Sequence, residues 1–240
     1  MLLKIALNGA RSKTENEYLP HSLEEIEKEV ALLFKNGYDV FHIHCYDKDD
    51  NESLKPADVN NLVSIVKNIS KDIKIGISSG DWIEPDLEKR KSYIKSWSCV
   101  PDFISVNMIE DNAIEISNLL ISKGVLVEAG LNEIKAAEIF VESHLDKGCC
   151  RILIEPEEEN LESALNTING IEEILDFNKI IIPRLLHGFN SVAWDILSEA
   201  KKRGYDSRTG MEDTIYLMDG KKAKSNLEIV QEANNIINVK

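Results

Sequence analysis

Two histidines one residue apart, His42 and His44, close the apolar run 38–44. In an extended strand, side chains alternate faces, so positions i and i+2 point the same way and the two imidazoles converge. Such a pair is close enough to share a divalent cation. A lone buried histidine is ordinarily a satisfied core residue, whereas a same-face pair would need two separate partners in one tight space. Far downstream, the segment Ser207-Arg208-Thr209-Gly210-Met211-Glu212-Asp213-Thr214 offers a carboxylate as third ligand. Two imidazoles and one carboxylate with an open position compose a catalytic metal site rather than a closed structural one. Paired imidazoles suit zinc, iron or nickel.

Residues so far apart in the chain need a scaffold that brings them together. Short apolar runs at 2–7, 39–45, 73–78, 103–108, 125–129, 151–155, 179–186 and 207–212 read as strands. Helix-like stretches follow them at 22–36, 57–69, 86–97, 113–123, 133–146, 161–175, 191–203 and 227–237. The first helix carries a capping pattern, Ser22 with Glu25 three residues on, and stops at Asn36-Gly37. Eight such units of about 30 residues predict a single (β/α)8 TIM barrel domain over 1–240. Nearly continuous apolar strands fit a parallel sheet covered by helices. An open doubly wound sheet is the alternative. The count of eight, and the lack of a G-x-G-x-x-G turn after the first strand, weigh against it.

Barrel sites form where strands end at their C-terminal side. That rule collects Asn8 after strand one, His42 and His44 on strand two, Ser78 and Ser79 after strand three, and Ser105 and Asn107 on strand four. It adds Glu128 on strand five, His187 after strand seven and residues 208–213 on strand eight. If 207–212 is extended, Arg208, Gly210 and Glu212 share a face, Asp213 opens the next loop, and Gly210 leaves room for substrate. Trp82 stands at the same mouth; packing is the expected role of Trp97 and Trp194.

Composition limits the partners. The net charge is −14, from 42 acidic against 28 basic residues. A nucleic acid or an anionic membrane surface needs basic patches, so neither is predicted as partner. The opening 1–7 is too short for a signal peptide, and no apolar run reaches the roughly 18 residues of a membrane span. Cys45, Cys99, Cys149 and Cys150 form no C-x-x-C pair and read as reduced thiols of a cytoplasmic protein, Cys45 as a packing residue.

The set Leu7-Asn8-Gly9-Ala10, His42-Ile43-His44, Ile77-Ser78-Ser79-Gly80, Ser105-Val106-Asn107 and Arg208-Thr209-Gly210-Met211-Glu212-Asp213 resembles the β-keto acid cleavage enzyme family, of the 3-keto-5-aminohexanoate-cleaving kind. The ending Gly220-Lys221-Lys222-Ala223-Lys224-Ser225-Asn226-Leu227-Glu228-Ile229-Val230 is similar to the family's G-x-x-A-x-S-N-x-x-L/I-V. The resemblance implies a zinc-dependent barrel that exchanges the acyl group of a β-keto acid with acetyl-CoA, giving acetoacetate and a new acyl-CoA. It implies Zn2+ on His42, His44 and Glu212. It makes Arg208 and Asp213 the base dyad, and lines the substrate site with Ser78, Ser105, Asn107 and Glu128, beside Asn8 and Ser79. It also implies a homo-oligomer. Enolate formation is slow without stabilisation of the oxyanion, which a Lewis-acid cation supplies.

The chain departs from the family pattern in three places. H-x-H-x-R becomes His42-Ile43-His44-Cys45-Tyr46, the Gly-rich loop after strand six becomes Glu155-Pro156-Glu157-Glu158-Glu159-Asn160, and G-x-G-R after strand seven becomes Leu185-Leu186-His187-Gly188-Phe189-Asn190. An acidic loop is a poor neighbour for a CoA phosphate. Arg11 replaces an acidic residue that pairs with a substrate amine, so charge complementarity favours a neutral or anionic acyl end. Two other functions compete: a barrel-type metal-dependent hydrolase, with His144 or His187 as extra ligands, and a non-catalytic relative.

Overall fold

The computed structural model describes residues 1–238. Strand and helix alternate throughout: β1 (Leu3–Ala6), α1 (Leu23–Lys35), β2 (Val40–His42), α2 (Pro56–Ile69), β3 (Lys74–Ser78), α3 (Leu87–Ser96), β4 (Phe103–Asn107), α4 (Ala113–Ser122), β5 (Leu126–Leu131), α5 (Ile134–Ser143), β6 (Cys149–Ile154), α6 (Leu161–Phe177), β7 (Arg184–Leu186), α7 (Ala193–Arg203), β8 (Ser207–Thr209) and α8 (Asn226–Asn238). Each strand pairs in parallel with the next, and β1 also pairs with β8. The Leu186 N–H donates to the Asp206 carbonyl (3.0 Å) and the Asp206 N–H to the Arg184 carbonyl (3.1 Å), which joins β7 to the entry of β8. The sheet thereby closes as a (β/α)8 barrel, as the eightfold rhythm predicts.

Helix α1 shows why these segments fold as read. Ser22 accepts from the Glu25 N–H and Glu25 accepts from the Ser22 N–H, a complete capping box. Ile26, Val30 and Leu33 then fall on one face and are fully buried against the sheet. Each such side chain contributes roughly 1.5–3 kcal/mol of transfer free energy.

Two strands are shorter than their apolar runs. After α6, the Lys179 and Ile180 N–H groups bond back to the Asp176 and Leu175 carbonyls, so the helix end consumes the start of run 179–186. Ile181 is left 94% exposed, and β7 begins only after Pro183. Strand β8 ends at Thr209, because the Asp213 and Thr214 N–H groups both turn back onto the Gly210 carbonyl. Glu212 therefore projects from a turn rather than from an extended strand. Gly210 does not make room for substrate: a Cβ there would overlap the Ala6 carbonyl and press on Asn226. That close approach lets the turn lie on the end of β1.

Asn226, in the Ser-Asn pair of the C-terminal pattern, ties this corner together. Fully buried, it donates from Nδ2 to the Leu7 carbonyl (2.9 Å) and accepts at Oδ1 from the Met211 N–H (2.8 Å). The start of α8 thus clamps the β8 turn against β1, one residue from Glu212.

Inside the barrel lies an ion cluster. Lys4 and Glu128 are 0% exposed, with Lys4 Nζ at 2.5 Å from Glu128 Oε2 and Arg151 NH1 at 2.6 Å from Oε1. Glu128 sits three residues before the end of β5, one side-chain layer below the mouth, and both its oxygens are taken. It does not line the cavity where the sequence placed it.

Candidate metal centre and active site

His42 ends β2, and the ladder hands over to a side chain just beyond it. The Asn8 amide accepts from the His44 N–H (2.9 Å) and donates to the His44 carbonyl (3.1 Å). Asn8 is thus a two-point clamp on the His44 backbone, wholly buried, and not part of the cavity wall. The two imidazole rings lie 5.2 Å apart, edge to face.

The β8 turn brings Glu212 to both rings. His42 Nε2 lies 3.8 Å from Glu212 Oε2, and His44 Nε2 lies 3.6 Å from Oε1. A ligand atom from each of the three falls within 4.8 Å of the others, the one such group among the described residues. Bonds of about 2.05 Å in tetrahedral geometry put ligand atoms roughly 3.4 Å apart, so the three residues fit a zinc-sized cation with little movement. Glu212 Oε2 is buried without a hydrogen-bond partner among the described residues, which suits an atom reserved for a ligand. Gly9 makes the approach feasible: at φ +60 it carries no Cβ, and one would overlap Glu212 Cγ.

His44 Nδ1 lies 2.8 Å from Glu52 Oε2, leaving Nε2 to face Glu212. A carboxylate behind a ligating imidazole fixes its tautomer and raises its basicity. Burial lowers the His44 pKa, but the Glu212 and Glu52 charges outweigh it and hold it up at about 9. Burial keeps His42 well below its usual value and therefore neutral. Burial also disfavours ionised Glu212, yet Arg208 and the two imidazoles hold its carboxyl well below the usual range. Glu52 sits in an exposed-looking Asp/Asn-rich loop with no periodic signal. Glu52→Gln is expected to weaken zinc affinity by about 10–100-fold, measured by competition with a chromogenic chelator.

Arg208 stands beside this centre, bonding Asp213 Oδ1 through Nε (3.1 Å) and NH2 (2.7 Å), and Glu212 Oε1 through NH2 (2.7 Å). Burial pushes the Asp213 carboxyl up and Arg208 pulls it back, leaving it at about 6. Asp213 lies behind Arg208 rather than on the wall itself.

A cavity of about 420 Å³ opens over these groups, lined by His42, His44, Ser78, Ser105, Asn107, Arg208 and Glu212, with Trp82, Glu155 and Phe189 around them. Ser79 is turned away, donating to the Ser105 carbonyl. Arg11 reaches the rim, but its guanidinium is occupied: Nε donates to the Glu212 carbonyl (2.9 Å) and the other nitrogens to Glu15, Asn190 and the Asp213 carbonyl. It braces the β8 turn and leaves no free cation for an anionic acyl end. His144 is an exposed residue at the end of α5, remote from the centre; His187 lies beside it, against Glu155 and Asp213. Trp82 donates to Glu52, and Trp97 is buried on the Leu54 carbonyl.

Fold and site together define a (β/α)8 barrel with a His-His-carboxylate centre at its C-terminal mouth. The chain belongs to the β-keto acid cleavage enzyme family: a family model of that description matches residues 1–148 and 184–239. It is similar to 3-keto-5-aminohexanoate cleavage enzyme of Acetoanaerobium sticklandii, 25% identical over 256 residues, covering 97% of this chain and 89% of that one. The enzyme of the same name from Fusobacterium nucleatum is 22% identical over 260 residues, covering 96% and 89%. Among solved structures, ObcA in a ternary complex with a C4-CoA adduct and oxalate superposes with a TM-score of 0.70 at 15% identity, over 90% of this chain and 63% of that one. The type I 3-dehydroquinate dehydratase of Clostridium difficile gives 0.64 at 15%, over 99% and 91%. The chain thus spans less than two thirds of ObcA, and at these identities both structures speak for the barrel fold alone.

Proposed function

We propose that this chain is a zinc-dependent β-keto acid cleavage enzyme that exchanges acyl groups with acetyl-CoA, releasing acetoacetate and an acyl-CoA. The observation that carries it is the meeting of His42, His44 and Glu212 beside the Arg208–Asp213 pair in one cavity. The bond changes balance: the CH2–COO⁻ unit of the keto acid passes to the acetyl group, and its original acyl group passes to the CoA sulfur.

His42, His44 and Glu212 would hold the cation, which when bound supplies charge stabilisation to an enolate oxygen. The remaining work belongs to the chain. Asp213 and Arg208 form the base dyad for the α-proton: Arg208 stands on the wall, and Asp213 behind it acts as base once the Arg208 side chain shifts on substrate binding. Ser78 and Ser105 offer hydroxyls and Asn107 an amide to the substrate carboxylate and carbonyl. Burial of Asp213, Arg208 and both imidazoles keeps water from these charges, which strengthens each interaction.

Both curated relatives carry the name 3-keto-5-aminohexanoate cleavage enzyme, which supports cleavage of a β-keto acid. Free thiols at all four cysteines fit a cytoplasmic setting. Purified protein given a panel of β-keto acids and acetyl-CoA is expected to release acetoacetate in step with acyl-CoA. Release of the free acid without acyl-CoA would instead favour the hydrolase reading.

A further inference from the structure

His187 follows β7 and is 1% exposed, so both ring nitrogens need protein partners. Nε2 finds Glu155 Oε2 at 3.2 Å, while Nδ1 has no hydrogen-bond partner among the described residues and lies 3.6 Å from Asp213 Oδ1. Glu155 immediately follows β6, where its N–H bonds the Leu131 carbonyl and the neighbouring Ile154 carbonyl accepts from the His187 N–H. Gly130 gives the carboxylate its place, since a Cβ there would overlap Glu155 Oε1. Unlike Asp213, Glu155 lines the cavity wall itself, and among the described residues no lysine or arginine bonds it. It also lies in 149–183, the stretch the family match leaves out.

Resting on the function proposed above, we infer that Glu155 is a second acid–base residue of this site, held by His187, that protonates the enolate carbon released when the C–C bond breaks. His187 acts on it as a positioning residue. The step balances. The electron pair of the breaking bond stays on the departing acetoacetate carbon. That carbon takes the proton from the Glu155 carboxyl, leaving a carboxylate. Glu155 then regains a proton from solvent as Asp213 gives up the α-proton to solvent, so the cycle closes with no net proton gained or lost.

The two carboxyls stand in contrasting settings, the pattern that separates acid from base. Asp213 is bonded twice by the Arg208 guanidinium, whereas Glu155 meets the imidazole of His187. Burial pushes Glu155 up to about 7, with Arg208 and Lys4 opposing and Glu212 and Asp213 reinforcing. Its bonded neighbour, His187, is held neutral by burial with help from Arg208 and Lys4. A carboxyl pushed up to about 7 is protonated in a substantial share of molecules near neutral pH, so Glu155 has a proton to donate.

Acetoacetate itself is the probe, because it is the product of every such reaction. With 13C-labelled acetyl-CoA at saturation, label passing into acetoacetate reports the full cleavage cycle. Deuterium uptake at the acetoacetate methylene in D2O, without acetyl-CoA, reports proton abstraction alone. Glu155→Gln is expected to keep deuterium uptake within about threefold of wild type and to lose label exchange by about 100-fold or more in kcat. His187→Ala should show the same split, smaller, while Glu155→Asp recovers part of the exchange. Retained label exchange in Glu155→Gln, equal loss of both signals, or a loss confined to the KM for acetyl-CoA overturns the inference. Silence of the wild type in both assays overturns the proposed function beneath it.

Discussion

His42→Ala is expected to bind no zinc and to turn over at least about 1,000-fold more slowly than wild type. A Lewis-acid cation supplies several kcal/mol to an enolate-like transition state, and each 1.36 kcal/mol is tenfold in rate, so about 4 kcal/mol gives that factor. The fold should survive, because the His42 backbone stays in register with Ala6 and Gly76 whatever its side chain. No Nδ1 partner is lost either, since that atom has none among the described residues. Elemental analysis, kcat/KM and thermal unfolding of one preparation check this. A variant that keeps zinc and activity would remove His42 from the centre, and one that is active without zinc would remove the cation from the reaction.

Asp213→Asn should lower kcat by about 100- to 10,000-fold with zinc content unchanged. Asparagine keeps an oxygen for Arg208, which still holds Glu212 at 2.7 Å, so the guanidinium is not left unpaired. The substitution removes the basic electron pair and little else. The loss should appear in kcat and in deuterium uptake at the substrate α-carbon, measured by NMR. Uptake at the wild-type rate would show that another group abstracts the proton, and Asp213 would be reduced to a buried counter-ion of Arg208.

Much of this was legible in the linear chain, for identifiable reasons. Strand and helix periods are local, so all eight units could be located, and the period of two placed His42 and His44 together. The carboxylate at 212 was legible as a type, but its route to the imidazoles was not. It depends on Gly210 abutting Ala6, Gly9 abutting Glu212 and Asn226 bridging the two, three contacts between segments about 200 residues apart in the chain. Asn8 was read as a substrate contact because a short amide at a barrel mouth looks the same whether it bonds a ligand or a backbone. Glu128 was misplaced by one layer, since depth along β5 depends on barrel stagger. Glu52, one of 42 acidic residues and in a loop without periodicity, carried no signal, and Glu155 showed only as the end of the run 151–155 and the start of an acidic loop. His187 was visible only as a stray imidazole, because its partners come from β6 and the β8 turn.

The most direct test is the zinc content of the purified chain, measured by elemental analysis alongside X-ray absorption at the zinc edge. One zinc per chain, with two imidazole nitrogens and a carboxylate oxygen at about 2.0–2.1 Å, is the expected result. A chain that binds no zinc when supplied with it, or a zinc whose shell contains sulfur or a single imidazole, would contradict the account.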